Sequence, residues 1–249
     1  MMSGRPAFDP YTPLMVLKPF ADDIWTMDGP EIRMNWLGLK IPFTTRMTLV
    51  RLPDGGIWVH SPTGQDGMVM DAVESLGPVR HLVAPNSIHY WWLPQWHARF
   101  PDARVHGVAG LSQKAKRHLP PLEVLRATAP TGWAGTIDQV IVPGDVVTEA
   151  DFFHRPSRTL ILTDLIENFE PQRIRSRVLR FLMRLTGAVD PDGQAPIDLR
   201  ATFWRHRASV RAAVEQMIEW EPDHIILAHG RCYDKDGVGE LRRSFRWVL

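Results

Sequence analysis

Apolar runs in this chain are short, and each is stopped by a turn signal or by a side chain that can do chemistry. Leu14–Lys18 and Ile24–Met27 read as short strands. Arg46–Leu52 and Gly56–His60 flank a Pro-Asp-Gly-Gly turn signal and predict a hairpin. A helical period takes over across Asp66–Leu76, closed by Gly77 and Pro78. His81–Ala84 and Ala103–Val108 read as strands, separated by a helix-like aromatic stretch from His89 to Arg99. Leu111–His118 reads as a basic helix, and residues 119–135 as a Pro-rich loop. Thr136–Val142, Glu149–His154 and Thr159–Thr163 are strands, the last two joined by a tight turn at Arg155–Arg158. Arg205–Trp220 is helical, and His224–Ala228 is the closing strand. Hairpins followed by alternating strands and helices predict sheets covered by helices, a layered α/β arrangement. Residues 1–13, polar and Pro-rich, predict a loosely held arm. One domain follows over 14–249, with a helical insertion at about 168–204.

Pro171–Leu185 breaks the pattern. It carries Arg173, Arg175, Arg177, Arg180 and Arg184 with no acid between Glu170 and Asp190, while Ile174, Val178, Phe181, Leu182 and Leu185 fall on one helical face. The plainer expectation is a helix that covers a core and leaves its arginines in water. The alternative is a surface helix that binds a membrane or a partner groove.

Composition narrows the classes. The 249 residues are 44% hydrophobic and 23% charged, enough for one large domain with a core. A net charge of +1 and a pI near 8.0 create no global field that would draw in nucleic acid or an anionic membrane. Cys232 is the single cysteine, which excludes an internal disulfide framework and suits a reducing cytoplasm. The N-terminal residues lack an apolar signal core, and no long apolar run predicts a transmembrane segment. The expectation is a cytoplasmic protein acting on a small-molecule substrate, without nucleic acid. Ser87 lacks a nucleophile-elbow motif, and no glycine-rich phosphate loop is present.

Candidate chemistry sits where strands stop. His224–Ala228 ends at His229-Gly230, Thr159–Thr163 ends at Asp164, and the segment after His81–Ala84 runs through Asn86 to His89. Imidazole and carboxylate are ligands that zinc, iron and manganese accept, so three strand exits that meet at one sheet edge predict a metal site. Taken singly, each is as well explained as a hydrogen-bonded strand-end histidine or a turn-capping aspartate. Their distance along the chain leaves the decision to the fold.

The segments Thr48–Val59, Leu82–His89, Val142–Asp145, Ser157–Asp164 and Ile225–Gly230 together resemble the metallo-β-lactamase superfamily, and within it a branch catalogued as a domain of unknown function. The resemblance implies a four-layer αββα sandwich with its ligands at one edge. The superfamily's His-x-His-x-Asp-His motif falls on Ala84, Asn86, Ile88 and His89, and its Pro-Gly-His on Pro143, Gly144 and Asp145. The bridging aspartate matches Asp164, and the closing histidine matches His229. The first of the family's two metal sites thus loses its imidazoles, while the second keeps His89, Asp164 and His229. The implied cofactor is one divalent metal, zinc or iron, with Asp164 both ligand and catalytic orienter of water. The implied activity is hydrolysis of a small ester, thioester, lactone or amide. The alternative is a catalytically silent member that binds a small molecule or partner protein.

Around that trio, Asn86 is a candidate to bind a water or substrate oxygen, and Asp145 an outer acceptor. His60 stands where the superfamily has an aspartate, and Glu149 is an auxiliary carboxylate. His154 is a second-pocket or structural residue, because a hairpin turning at 156–158 sets it far from Asp164. Tyr90, Trp91, Trp92 and Trp204 are candidates for an apolar substrate wall, with the 164–204 insertion as lid.

Overall fold

The computed structural model describes residues 6–36, 39–64 and 66–249. Two antiparallel connections start the first sheet: β1 (Lys18–Ala21) pairs with β2 (Ile24–Trp36), and β2 with β3 (Leu39–Arg51). The predicted hairpin follows, with Arg51 opposite Ile57 of β4 (Ile57–His60). From there the chain changes to parallel crossovers. Helix α1 (Gly67–Leu76), capped by the Asp66 carboxylate on Met68 N, leads to β5 (Val79–Ala84), and α2 (Leu93–Arg99) leads to β6 (Arg104–Gly107). A short α3 (Leu111–Lys114) and β7 (Glu123–Val124) complete a seven-stranded sheet in sequence order.

The second sheet is a meander of β8 (Ile137–Val142), β9 (Glu149–His154) and β10 (Thr159–Leu162), with β11 (His224–Leu227) added parallel to β10. Alternation along β9 divides the interior, since successive side chains of a strand point to opposite faces. Ala150 and Phe152 join Trp58, Met27 and Leu49 between the sheets, with the Phe152 ring centroid 4.9 Å from that of Trp58. Phe153 faces outward and packs with Leu160, Leu162 and the buried residues of α6 (Arg207–Glu219) and α7 (Gly237–Ser244). Helices on both outer faces give four layers, αββα. Among the described residues no helix is long and apolar enough to cross a membrane.

Several elements differ from the sequence reading. Strands β2 and β3 run far beyond Met27 and before Arg46, hidden in the sequence by Pro30, Pro42 and their polar neighbours; a bulge between Gly29 and Ile32 accommodates the proline. Most of Leu14–Lys18 is turn, and the basic helix stops at Lys114. The described part of the arm is anchored: Phe8 is buried, stacks on Phe169 at 4.9 Å, and accepts no loose role because Asp9 N donates to Arg173 O at 2.7 Å. Helix α5 (Ile197–Thr202) lies within the stretch read as a helical insertion, whereas α7, short and weakly periodic, was not foreseen. The arginine segment becomes a 3₁₀ turn at Pro171–Arg173 and α4 (Arg177–Thr186), and it covers a core only in part. Ile174 is buried with Phe8 and Phe169, and Leu179 and Met183 pack against them, but Val178, Phe181, Leu182 and Leu185 of the same predicted face stay exposed.

Candidate metal centre

Register brings the trio together. Leu162 of β10 pairs with Leu227 of β11 in parallel, so Asp164 and His229 each emerge two residues later at the same sheet edge. The loop after β5 reaches that edge from the other sheet, stitched there by Ala150 N donating to Pro85 O at 2.8 Å. His89 Nε2 lies 3.3 Å from Asp164 Oδ1, His229 Nε2 lies 3.1 Å from the same oxygen, and the two Nε2 atoms are 3.2 Å apart. All three side chains are nearly buried, and the cluster can hold a metal ion.

What surrounds the cluster orients it. His229 Nδ1 faces the Thr44 carbonyl at 2.9 Å, and a carbonyl only accepts, so Nδ1 carries the proton and Nε2 presents its lone pair inward. His89 Nδ1 lies 2.7 Å from Ser61 Oγ, which likewise leaves its Nε2 to the cluster. The Asn86 amide donates to Asp164 Oδ2 at 2.7 Å and to Glu149 Oε2 at 2.9 Å, while Asn86 Oδ1 accepts from Ile88 N and His89 N, both at 2.9 Å. One ring nitrogen or oxygen of each ligand is therefore held from behind, and the other points to a common centre. Such backing is the usual partner set of metal-bound imidazole and carboxylate.

Charge fits a cation. Burial alone would raise the Asp164 carboxyl, but His89 and His229 outweigh it and hold Asp164 below the usual carboxylate range. Burial would lower His89, and Asp164 outweighs that, pushing His89 upward. His229 is pushed down, by burial first. The site thus keeps a carboxylate and attracts positive charge, which a divalent metal supplies in place of a proton.

The remaining candidates separate. Asn86 is spent on four protein hydrogen bonds, so it does not bind a water or substrate oxygen as expected; it is the bracket of the site. Glu149 is fully buried and accepts from Thr163 N, Asp164 N, Leu165 N and Asn86, a support for the Asp164 turn that never faces the cluster centre. His60 packs its ring on Trp58 and Phe152 inside the sandwich, with centroids 5.5 Å from each, and its neighbour Ser61 makes the contact to His89 instead. His154 pairs with Thr159 and bonds Ser157 Oγ at 2.7 Å, at the opposite end of β9 from Glu149. Asp145 pairs with His206 at 3.1 Å, and none of its bonds reaches the trio. Tyr90 is buried, its hydroxyl accepting from Lys116 N at 2.9 Å, and Trp204 is exposed; neither lines the cleft.

That cleft, of about 500 Å³, opens over the trio. Trp91, Trp92, Ile88 and Phe43 line it, with Leu179, Met183 and Leu199 contributed by the 164–204 insertion. Its acids besides Asp164 are Glu167 and Asp198, and burial first, then the charges of Asp164 and Asp198, push the Glu167 carboxyl well above the usual carboxylate range.

Sequence reasoning missed three supports. Ser61 follows β4 with a left-handed φ of 52°, a position for which its sequence gave no signal. Thr44 acts through its backbone, which no side-chain pattern reveals. Arg46 is buried, pairs with Asp28 directly across β2–β3, and donates to the carbonyls of Leu227 (2.6 Å) and Gly230 (2.8 Å), clamping the turn that carries His229. Opposite charges at matched positions of two strands would have been its signal.

Solved structures share the fold. DIM-1 metallo-β-lactamase exposed to ceftazidime superposes with a TM-score of 0.59 at 13% identity, over 95% of this chain and 97% of that one. The metallo-β-lactamase FIM-1 from Pseudomonas aeruginosa in its mono-zinc form gives 0.59 at 13%, over 98% and 97%. The metal-soaked Flv1 flavodiiron core from Synechocystis sp. PCC6803 gives 0.62 at 16%, over 98% of this chain and 61% of that one. At such identities the likeness is one of fold alone. No curated protein sequence matches the chain. The family model described as Domain of unknown function (DUF4336) matches residues 21–180, more than half of the chain, and the protein belongs to that family.

Proposed function

We propose that this protein is a metal-dependent hydrolase with a mononuclear site, acting on a small ester, thioester, lactone or amide that carries an apolar substituent. The observation that carries the reading is the convergence of His89 Nε2, Asp164 Oδ1 and His229 Nε2 within 3.1–3.3 Å on the floor of an apolar cleft. A divalent metal, zinc or iron, would be held by these three atoms and would lower the pKa of water and polarise a carbonyl. The chain's own residues do the rest. Asn86 stops the Asp164 carboxylate from rotating, so Oδ1 keeps its aim. Ile88, Phe43, Trp91 and Trp92 take up the apolar part of the substrate and exclude bulk water. Glu167 lines the cleft, and with its carboxyl pushed upward by burial it is the acid placed to supply the leaving group with a proton.

Hydrolysis of p-nitrophenyl esters and thioesters of increasing acyl length, by protein reconstituted with zinc or with iron, tests the reading. Metal-dependent turnover that improves with acyl length, and that falls in Glu167→Gln while metal content is kept, supports it. Stoichiometric metal with no turnover on these esters and thioesters, nor on the corresponding lactones and anilides, would instead favour the silent binder.

A further inference from the structure

We propose that α4 seats the protein on an anionic lipid surface. Ser176 caps this helix and Gly187 ends it, so it is a defined element, yet none of its side chains is buried. Its residues divide among three faces. Leu179, Met183 and Thr186 turn toward the cleft. Val178, Phe181, Leu182 and Leu185, at helical spacings of three and four, are 70%, 61%, 52% and 63% exposed. Arg177, Arg180 and Arg184 form the third face, and Arg173 and Arg175 precede it.

An apolar stripe left in water on an otherwise well-packed molecule calls for a covering surface. Charge selects the kind. The segment between Glu170 and Asp190 holds no acid, whereas the whole chain has a net charge of only +1, so positive charge is concentrated here. Arg173 and Arg175 are partly engaged with Glu170 and Asp9, and Arg180 donates to Ile174 O. The guanidinium groups of Arg177 and Arg184 make no ion pair or hydrogen bond among the described residues. A second copy of the chain, docked stripe to stripe, would bring like-charged helices together. A lipid surface accepts both features at once: apolar side chains enter the acyl boundary while guanidinium groups stay with anionic headgroups. Leu182 belongs both to the stripe and to the cleft lining, so the cleft opens beside the contact surface. The docking itself does not depend on the hydrolase reading.

Co-sedimentation of the full chain with vesicles tests it. Phosphatidylcholine mixed with phosphatidylglycerol should sediment the protein, phosphatidylcholine alone should not, and high salt should release it. The double variant Arg177→Gln/Arg184→Gln should weaken binding roughly 30-fold, from the contribution of each arginine near an anionic surface. Phe181→Ser/Leu185→Ser should abolish binding with an unchanged circular dichroism spectrum, because both side chains stand in solvent. The proposal is overturned if the wild type ignores anionic vesicles, or if either variant binds them as the wild type does. It is equally overturned if sedimentation equilibrium shows a dimer that Phe181→Ser/Leu185→Ser dissolves, with no vesicle binding.

Discussion

Truncating Asn86 to alanine removes four hydrogen bonds from a fully buried position, two to carboxylates and two from backbone amides. Hydrogen bonds to charged groups contribute about 1.5–3 kcal/mol each and neutral ones about 0.5–1.5. Their sum is an upper bound, because water can enter the vacated space and the loop can relax. A loss of about 4 kcal/mol is the expected outcome, which lowers Tm by about 8–16 °C for a chain of this size. Asp164 Oδ2 also loses its bracket, so the carboxylate can rotate, and metal affinity should fall about 10–100-fold. Asn86→Asp keeps the shape but sets a third carboxyl against Glu149 and Asp164, and should be less stable than the alanine variant. Thermal unfolding by circular dichroism and zinc titration calorimetry read the two effects. A loss below about 1 kcal/mol with unchanged zinc affinity would refute the bracket role, as would an aspartate variant more stable than the alanine one.

Other expectations follow from the surroundings of the site. Gly230 has φ +89° and a Cβ there would lie 2.2 Å from Asn168 O, so Gly230→Ala should lower both Tm and metal affinity by displacing His229; wild-type values would count against the clamp. Asp151 is fully buried with no donor on either oxygen, while Glu149 accepts four N–H donors, so the proton these two share rests on Asp151. Burial first, then Glu149, hold that carboxyl well above its ordinary range, so its contribution to stability is lost as pH rises. Asp151→Asn, whose amide donates without a titrating proton, should gain about 1–3 kcal/mol in urea unfolding at pH 8, and a loss there would contradict the assignment. His81 and His106 contact at 3.1 Å, and burial pushes them down to about 4 and about 3. The unfolded chain takes up their protons from 6.5 downward while the folded one refuses them, so stability falls between pH 6.5 and about 4. His106→Asn should flatten that fall by up to about 1.4 kcal/mol per pH unit, and an unchanged slope would exclude the pair as its source.

The sequence showed the fold where elements were short, apolar and sharply ended. Glu149–His154 has the bounds of β9, and the helix read over Asp66–Leu76 is α1, with Asp66 as its cap. The β2–β3 hairpin was concealed because its prolines and charges belong to strands that are only partly covered. For the site, the ends of β10 and β11 could be aligned only once their register was known, since a one-residue slip would turn Asp164 or His229 away. The supporting groups were the least legible: a backbone carbonyl at Thr44, a hydroxyl at Ser61, and an amide at Asn86 whose residue type fitted a substrate contact equally well. Helix α4 presents the opposite case. Its periodicity was plain, but periodicity marks an apolar face without saying what covers it, and here the protein itself covers only part of it.

The claim on which the account rests is that His89, Asp164 and His229 share one metal ion. Elemental analysis of protein purified without chelator, alongside the folded His229→Ala variant, measures it directly. The account predicts one equivalent of zinc or iron per chain in the wild type and almost none in the variant. A wild type that stays metal-free after zinc or iron is supplied, or a variant that retains its full equivalent, would contradict it.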